Sequence, residues 1–424
     1  MLTLSSRSLQ RSIAVALLGG AVVASCANGE VVSPPQDPST VRAPTAIVLT
    51  GVRVVTMTSA ERLDNQTVII SGGRIRSIEP AGANAPPAGA IQIEGRGRVL
   101  VPALIDMHVH LKRADLAAYL RAGITTVRNM WGHAAVATMK REIESGSLEG
   151  PAIYSISNGV DGSPPYWPYT RLVLDARDAN SVVQQVVAEG WPAIKVYQQL
   201  KADVYDSIMF AAQRRGIPVD GHVPTAVTVQ RALQLRQRSI EHLSGYDRAV
   251  THRSGTGTFA WADIDASKFP ELVRQTVEAG TWNCPTMAIF LQLAQQHSAA
   301  ERATIIANRR RLVAELVRQG ARLLAGTDAG IDVVSPGVSM HDELRELVAA
   351  GLSPYQALRA ATADAGIFLG VPHLGTIVVG APAELMLLDG DPLANIANTA
   401  RLAGLIRRGT WFSASALDSL VSRP

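Results

Sequence analysis

Lysine, cysteine and long apolar runs are all scarce in this 424-residue chain. Of its 40 basic residues only five are lysines, Lys112, Lys140, Lys195, Lys201 and Lys268, so a lysine inside a regular element stands out. The formal net charge of +4 comes from scattered arginines, and no basic run interleaves with aromatics, which argues against nucleic acid as a partner. Two cysteines, Cys26 and Cys284, cannot form a disulfide framework. No GxGxxG or GxxxxGK[ST] loop follows the first strand of the α/β region, which removes the usual dinucleotide and P-loop sites. What remains, 47% hydrophobic and 18% charged residues, is enough for one large α/β barrel and a small accessory domain.

The first residues read as a targeting segment and stay out of the fold. Arg7 and Arg11 precede an apolar run from Ile13 to Ala24, shorter than the ~20 residues a bilayer-spanning helix needs. The run ends in Val23-Ala24-Ser25-Cys26, which resembles the lipobox of bacterial lipoproteins. Residues 1–26 are therefore expected to be a lipoprotein-type signal peptide with Cys26 lipidated, and 27–45, rich in Pro, Ser and Val, a flexible tether. That places the protein in the bacterial cell envelope, lipid-anchored to a membrane in the periplasm, or secreted. Any membrane contact would pass through this anchor alone.

From Ala46 onward the pattern changes to short alternating strands, AIVLTGVRVVT, TVIISGGRIRSIEP with Gly72-Gly73 as a hairpin turn, and AIQIEGRGRVL. The C-terminal end answers with GTIVVGAPAELMLLDG and LAGLIRRGTWF. Residues 46–103 and 371–424 are expected to assemble one composite β-sandwich from both ends of the chain. Between them, over 104–370, short apolar strands alternate with amphipathic helices such as Ala179–Glu189, Ala202–Arg215 and Ala299–Gln319. The strand candidates are LIDMHVH, ITTVRNMW, AIYSISNG, AIKVY, IPVDGHV, RSIEHLSG, TWNCPTM and RLLAGTDAG, the number that closes a (β/α)8 TIM barrel.

Active sites of such barrels form at the C-terminal ends of the strands. A strand has a side-chain period of two, so His108 and His110 in LIDMHVH point to one side, where two neutral imidazoles can bind a divalent metal. His222 and His242 end strands five and six, Lys195 sits within strand four and Asp328 ends strand eight. Lys195, flanked by Ile194 and Val196, is the only lysine on a predicted strand, and an unpaired ammonium there is costly. A neutral amine can react with carbon dioxide to give a carbamate able to bridge two cations. A Schiff-base lysine and a lysine snorkelling to the rim are the rival readings. Asp328 can ligate a metal and also accept a proton from water, while Gly326 and Gly330 are expected to leave room for substrate.

Taken together, HVH, the lysine in IKVY, DGHV, SIEHLSGY and AGTDAG, with the split β domain, resemble the amidohydrolase superfamily over nearly the whole mature chain. SPGVSMHDELRELVAAGLSPYQALRAAT and GTIVVGAPAELMLLDGDPL look like its imidazolonepropionase-like or prolidase-like branch. The resemblance implies that His108, His110 and Asp328 bind one metal, that His222 and His242 bind a second, and that carboxylated Lys195 bridges them. Zn2+ is the expected metal. The lysine separates this chain from the mononuclear deaminases and from true imidazolonepropionase. One departure is Pro102-Ala103 before strand one, where the family often has Pro-Gly.

The chemistry so implied is metal-assisted hydrolysis of an amide or peptide bond, in Xaa-Pro dipeptides or N-acyl amino acids, with a hydroxide between the metals as nucleophile and Asp328 as general acid/base. A lactonase or esterase on the same site, and a non-catalytic envelope binding protein, are the alternatives. Tyr246, after His242, and His133, after strand two, are expected to contact a substrate carboxylate or the oxyanion. Tyr166, Trp167 and Tyr169 could wall a side-chain pocket, and His252, His297, His341 and His373 read as structural. The apolar barrel helices leave room for a homo-oligomer.

Overall fold

The computed structural model describes residues 46–253 and 258–421. The expected signal peptide, lipidation site Cys26 and tether lie outside these residues. Among the described residues no helix is long and apolar enough to cross a bilayer.

The barrel is built from parallel strands taken in chain order: Leu104–Val109, Ile124–Asn129, Ala152–Ser155 with Gly159–Asp161, Ile194–Val196, Val219–Gly221, Ser239–Glu241, Trp282–Cys284 and Arg322–Leu323. We number them one to eight. Each pairs with the next in parallel. Strand three is broken: Ala152–Ser155 pairs with strand two, and after an irregular turn Gly159–Asp161 pairs with strand four. Arg171–Leu172 adds a short parallel strand beside Gly159–Asp161 that the sequence pattern does not reveal. Strand eight returns to strand one through Met107 N to Ala325 O (3.0 Å) and His110 N to Ala329 O (2.7 Å). The ring is thereby closed. Strand one is buried at every position, as a strand covered on both faces must be.

The outer helices follow their expected spans closely. Ala179–Ala188, Ala202–Arg215 and Ala299–Arg318 carry the amphipathic stretches, and the last begins in a capping box between Ser298 and Glu301. Their apolar faces and the strands form one large core.

Both chain ends contribute to a second, eight-stranded sheet. Its seam is the antiparallel pairing of Val99–Pro102 with Leu385–Leu388, which joins N-terminal strands to C-terminal ones. At its far edge Ile75 N donates to Ala381 O (3.0 Å) and Gly380 N to Ile75 O (2.8 Å), so the sheet folds back on itself around Leu49, Val68, Ile70, Leu100, Leu385 and Ile406. This is the β-sandwich. Ser71 pairs with Arg74 across Gly72-Gly73, both at positive φ (60° and 70°), the geometry a two-residue hairpin turn requires.

The chain passes from sheet to barrel at Ala103, whose N–H donates to Glu384 O (2.8 Å). Alanine in place of the family's glycine leaves that connection intact. The Glu384 side chain sits in the same junction, with Oε1 accepting from Arg408 N (3.2 Å) and Oε2 shielded without a hydrogen-bond partner. Burial lifts its pKa from 4.5 to about 7, against the pull of Arg407. A carboxyl so raised stabilises the fold while protonated, fully below its unfolded value near 4.5, and the contribution is lost as pH rises through about 7. Glu384→Gln should therefore flatten the fall in stability between pH 5 and pH 8, gaining about 1–3 kcal/mol at the upper end. Denaturant melts of both proteins at the two pH values measure this, and an unchanged pH slope would refute it.

A candidate metal centre at the barrel mouth

The alternation of strand one brings His108 and His110 onto one atom of strand eight. His108 Nε2 lies 3.2 Å and His110 Nε2 3.1 Å from Asp328 Oδ1. His242 Nε2 lies 4.0 Å from Asp328 Oδ2, and the His242 ring stands 4.5 Å from that of His108 and 4.7 Å from that of His222. Lys195 is fully buried against the same cluster, and its charge acts on His110, His222 and His242. The structure thus draws all the residues assigned to the two metals into one site. Their backbones bear strain: His242 (φ 63°) and Asp328 (φ 64°) occupy the left-handed region, as does Thr286 (φ 49°), whose hydroxyl meets His242 Nδ1 at 2.7 Å.

These residues suit a divalent cation. His108 Nε2, Asp328 Oδ1 and Lys195 Nζ are buried without hydrogen-bond partners, a costly arrangement unless something else satisfies them. Separations of 3.1–3.2 Å match the edge, about 3.3 Å, of a tetrahedron of donors around an ion at ~2.0 Å. Burial holds the rings in the neutral form that metals need: it lowers His110, takes His222 well below its ordinary value and brings His242 to about 3. Burial likewise pulls Lys195 down to about 8, so a fraction of its amine is neutral near pH 7. Burial works against the Asp328 carboxylate, yet His242 and His108 keep it well below the usual range.

A layer of charge beneath the site escaped the sequence reading. His108 Nδ1 meets Glu241 Oε2 at 2.8 Å, while Glu241 Oε1 accepts from Arg128 Nη2 (2.8 Å) and Ser239 Oγ (2.5 Å). Arg128 also donates to Met107 O (2.6 Å), and Arg238 Nε to Asp220 Oδ1 (2.9 Å). Asp106 accepts from Thr327 Oγ1 (2.6 Å) and from His108 N (3.2 Å). Glu241 thereby fixes the His108 tautomer and aims Nε2 at the metal position. Gln198 Nε2 lies 3.3 Å from His222 Nδ1 and steadies that ring, but as an amide nitrogen it donates and does not set the tautomer as Glu241 does. A signal was present, since Arg128, Asp220 and Glu241 are charges inside apolar strands, the same argument that singles out Lys195. His108, Glu241 and Cys284 also converge, but Glu241 occupies the other ring nitrogen of His108 and burial raises the Cys284 thiol well above its ordinary value.

Two cavities flank the centre. The larger, about 270 Å³, is bounded by His110, His222, His242 and Asp328 and walled by aromatic residues that include Trp167, Tyr197 and Trp261. The smaller, about 210 Å³, shares His110 and Trp167 with it and is lined by His133 and Tyr169, whose rings stack at 5.2 Å. Tyr166 lines the larger one. The Tyr166–Tyr169 segment does form a wall, and His133 reaches the smaller cavity. Tyr197, next to the lysine strand, was not anticipated; its ring lies 4.2 Å from that of His222 and its hydroxyl accepts from Trp167 Nε1 (2.8 Å).

Two expectations need correction. Tyr246 does not face substrate: it is fully buried and its hydroxyl meets Thr276 Oγ1 (2.6 Å) on the helix Phe269–Ala279, because the first turn of Tyr246–Val250 directs it away from the mouth. Gly326 makes room for the neighbouring strands rather than for substrate, whereas Gly330 makes room for strand one and also lines the smaller cavity. A Cβ on Gly326 would fall 2.6 Å from Cys284 Sγ, and one on Gly330 only 1.8 Å from His110 O. His341 is buried against Thr399 (3.0 Å), and His252, His297 and His373 lie outside both cavities.

Comparison with known proteins places this geometry. The amidohydrolase family model matches residues 99–412. Adenine deaminase 2 of Bradyrhizobium sp. (strain ORS 278) is 24% identical over 86% of the chain and 56% of its own length, and ochratoxinase of Aspergillus niger is 23% identical over 79% and 80%. The chain spans about half the length of the adenine deaminases it matches. Among solved structures, a Xaa-Pro dipeptidase with bound methionine superposes with a TM-score of 0.70 at 20% identity, covering 87% of this chain and all of the other. Bottromycin amidohydrolase gives 0.70 at 26% identity over 91% and 93%.

Glu241→Gln should weaken metal binding roughly 10–100-fold, because the amide holds His108 less firmly and neutralises one end of the Arg128 pair. Competition with a chromogenic chelator measures the affinity and circular dichroism checks the fold. Unchanged affinity in a folded variant would show that Glu241 does not orient the ligand.

Proposed function

The chain belongs to the amidohydrolase family, enzymes that hydrolyse carbon–nitrogen bonds, and on that premise we propose that it is a binuclear metal-dependent hydrolase of amides or peptides. The observation that carries the proposal is the meeting of His108, His110 and Asp328 donor atoms beside a buried, unpartnered Lys195 amine among further imidazoles. His108, His110 and Asp328 would hold one ion, and His222 and His242 the other. Lys195 would lie between them as a carbamate, formed when its neutral amine adds to carbon dioxide and gives up a proton. The divalent ions, with Zn2+ the expected metal, would polarise the scissile carbonyl and lower the pKa of water toward about 7.

The protein's own groups manage the proton. Asp328 Oδ1 faces the two strand-one histidines and would hold the ion with them, which leaves Oδ2 to receive the proton of the attacking water and pass it to the leaving nitrogen. Gln198 and Thr286 keep His222 and His242 from rotating during the reaction. Trp167 and Tyr197, joined by a hydrogen bond, cover one side of the mouth and restrict water.

Support for an amide substrate comes from the lysine and from the likeness to bottromycin amidohydrolase. The candidates are N-acyl amino acids and dipeptides of the Xaa-Pro type. The Val23–Cys26 motif supports a place in the bacterial envelope, which membrane fractionation of Cys26→Ser against the unaltered chain tests.

Zinc-loaded protein, prepared with bicarbonate, should turn over members of a panel of N-acyl amino acids and dipeptides faster than lactones or adenine. Asp328→Asn should lower kcat roughly 10²–10⁴-fold on the best substrate. Full turnover after metal removal, or preference for adenine or a lactone, would overturn the reading.

A further inference from the structure

We propose that Arg248 reads a carboxylate on the substrate, so that the half of the substrate held in the larger cavity is an amino acid with a free carboxylate and an apolar side chain. This rests on the hydrolase reading above and adds to it the identity of one half of the substrate.

Arg248 lies in the helix Tyr246–Val250, which follows the loop after His242, and lines the larger cavity. It stands two residues after Tyr246, so where one side chain is turned outward the other is turned to the mouth. Its Nη2 donates to the carbonyls of Val223 (3.1 Å), Pro224 (2.8 Å) and Val227 (3.1 Å), which belong to the loop after His222. Those bonds hold the guanidinium still. Being made to neutral groups, they do nothing to balance its charge.

Balance is incomplete elsewhere too. The only carboxylate within 4.0 Å among the described residues is Asp247, with Oδ1 at 3.9 Å from Nη1. That oxygen already accepts from Gly245 N (2.9 Å), and the charge of Asp247 also acts on the fully buried Arg309. Arg309 in turn gives its Nη donors to the carbonyls of His242 and Pro285. Arg309 also feels Glu343, so Asp247 serves both guanidiniums but is the one carboxylate beside Arg248 among the described residues, and the Arg248 side chain is only 21% exposed. Burial lowers its pKa, the mark of a cation that lacks compensation.

Among the described residues Nε and Nη1 of Arg248 make no hydrogen bond, and with Nη2 held by the carbonyls each is left to give a single charge-assisted hydrogen bond to a carboxylate oxygen. Leu243, Trp261, Ile289 and Phe290, all buried, form an apolar part of the same cavity wall. A ligand that is anionic at one point and apolar over the rest fits that lining. The smaller cavity, across His110 and Trp167, would take the other half.

The experiment compares metal-loaded protein with Arg248→Gln and Arg248→Lys on N-acyl-L-phenylalanine and on the same compound with its carboxylate converted to a primary amide, scored by release of the acyl acid. The unaltered protein should favour the free acid. Arg248→Gln should raise KM for the acid roughly 10–100-fold with little change in kcat, leave the amide unaffected, and be partly rescued by lysine. If Arg248→Gln slows both compounds alike, the residue only braces the loop and the proposal falls. Calorimetric binding of L-phenylalanine and L-phenylalaninamide to the same proteins separates the two readings. Tighter binding of the acid that is lost in Arg248→Gln would uphold the carboxylate site even if no compound is hydrolysed, and equal binding would overturn it.

Discussion

Asp328 donates its backbone N–H to the carbonyl of His108 at 2.8 Å, and much of the molecule depends on that bond. It belongs to the ladder that ties strand eight to strand one and closes the barrel. It also sets how far the Asp328 carboxylate stands from the imidazoles of His108 and His110. Glycines at 326 and 330 let the two backbones come that close. Closure of the fold and assembly of the site are thus one event, because the last strand to join the ring brings the acid to the histidines.

Beneath this contact the barrel interior is unusually charged. Arg128, Asp220 and Glu241 are all essentially fully buried, and Arg238 reaches in from the side to pair with Asp220. Pairs of this kind do little for net stability, because the cost of desolvation offsets the attraction between them. Their value lies in direction. Glu241 can face His108 only because Arg128 neutralises its other oxygen, and Arg128 is placed by the carbonyl of Met107, the residue before His108. Backbone of strand one, guanidinium, carboxylate and imidazole form a closed loop that permits one orientation of the ring. Arg309 does similar work from outside, bonding the carbonyls of His242 and Pro285 where left-handed backbone at His242 and Thr286 would otherwise relax.

How much of this was legible in the sequence follows from which rules have a period. His108 and His110 were readable because a strand alternates, and Lys195 because a lone ammonium in an apolar strand needs an explanation. The hairpin at Gly72-Gly73, the barrel count and the joining of the two chain ends follow from the same local patterns. Glu241 and Arg128, charges in apolar strands as Lys195 is, carried a comparable signal, but a search for metal donors alone passes over the groups that orient them. The break in strand three was not legible, since the change of partner after Ser155 depends on what its neighbours present, not on its own residues. Tyr246 was misplaced for a related reason. A helix as short as Tyr246–Val250, entered through a loop, has no sequence rule that fixes its rotation, and the direction of its first side chain is settled by Thr276 on another helix.

The same distinction separates the candidate donors from the walls around them. The candidate metal donors stand on strands and strand ends whose positions are fixed by ring closure, so changing one of them disturbs the fold and the site together. The walls of the two cavities come instead from loops: Trp167 and Tyr169 after the broken third strand, the Val223–Val227 carbonyls after His222, and Arg248 after His242. The Trp167–Tyr197 hydrogen bond and the Arg248–carbonyl bonds each join loop residues across neighbouring strands. A substitution in one loop can therefore be absorbed by its neighbour without moving a metal ligand. The cavity walls can thus change while the candidate donors stay where ring closure puts them, and the side chains to consult for substrate choice are those whose polar groups the loops leave unpaired.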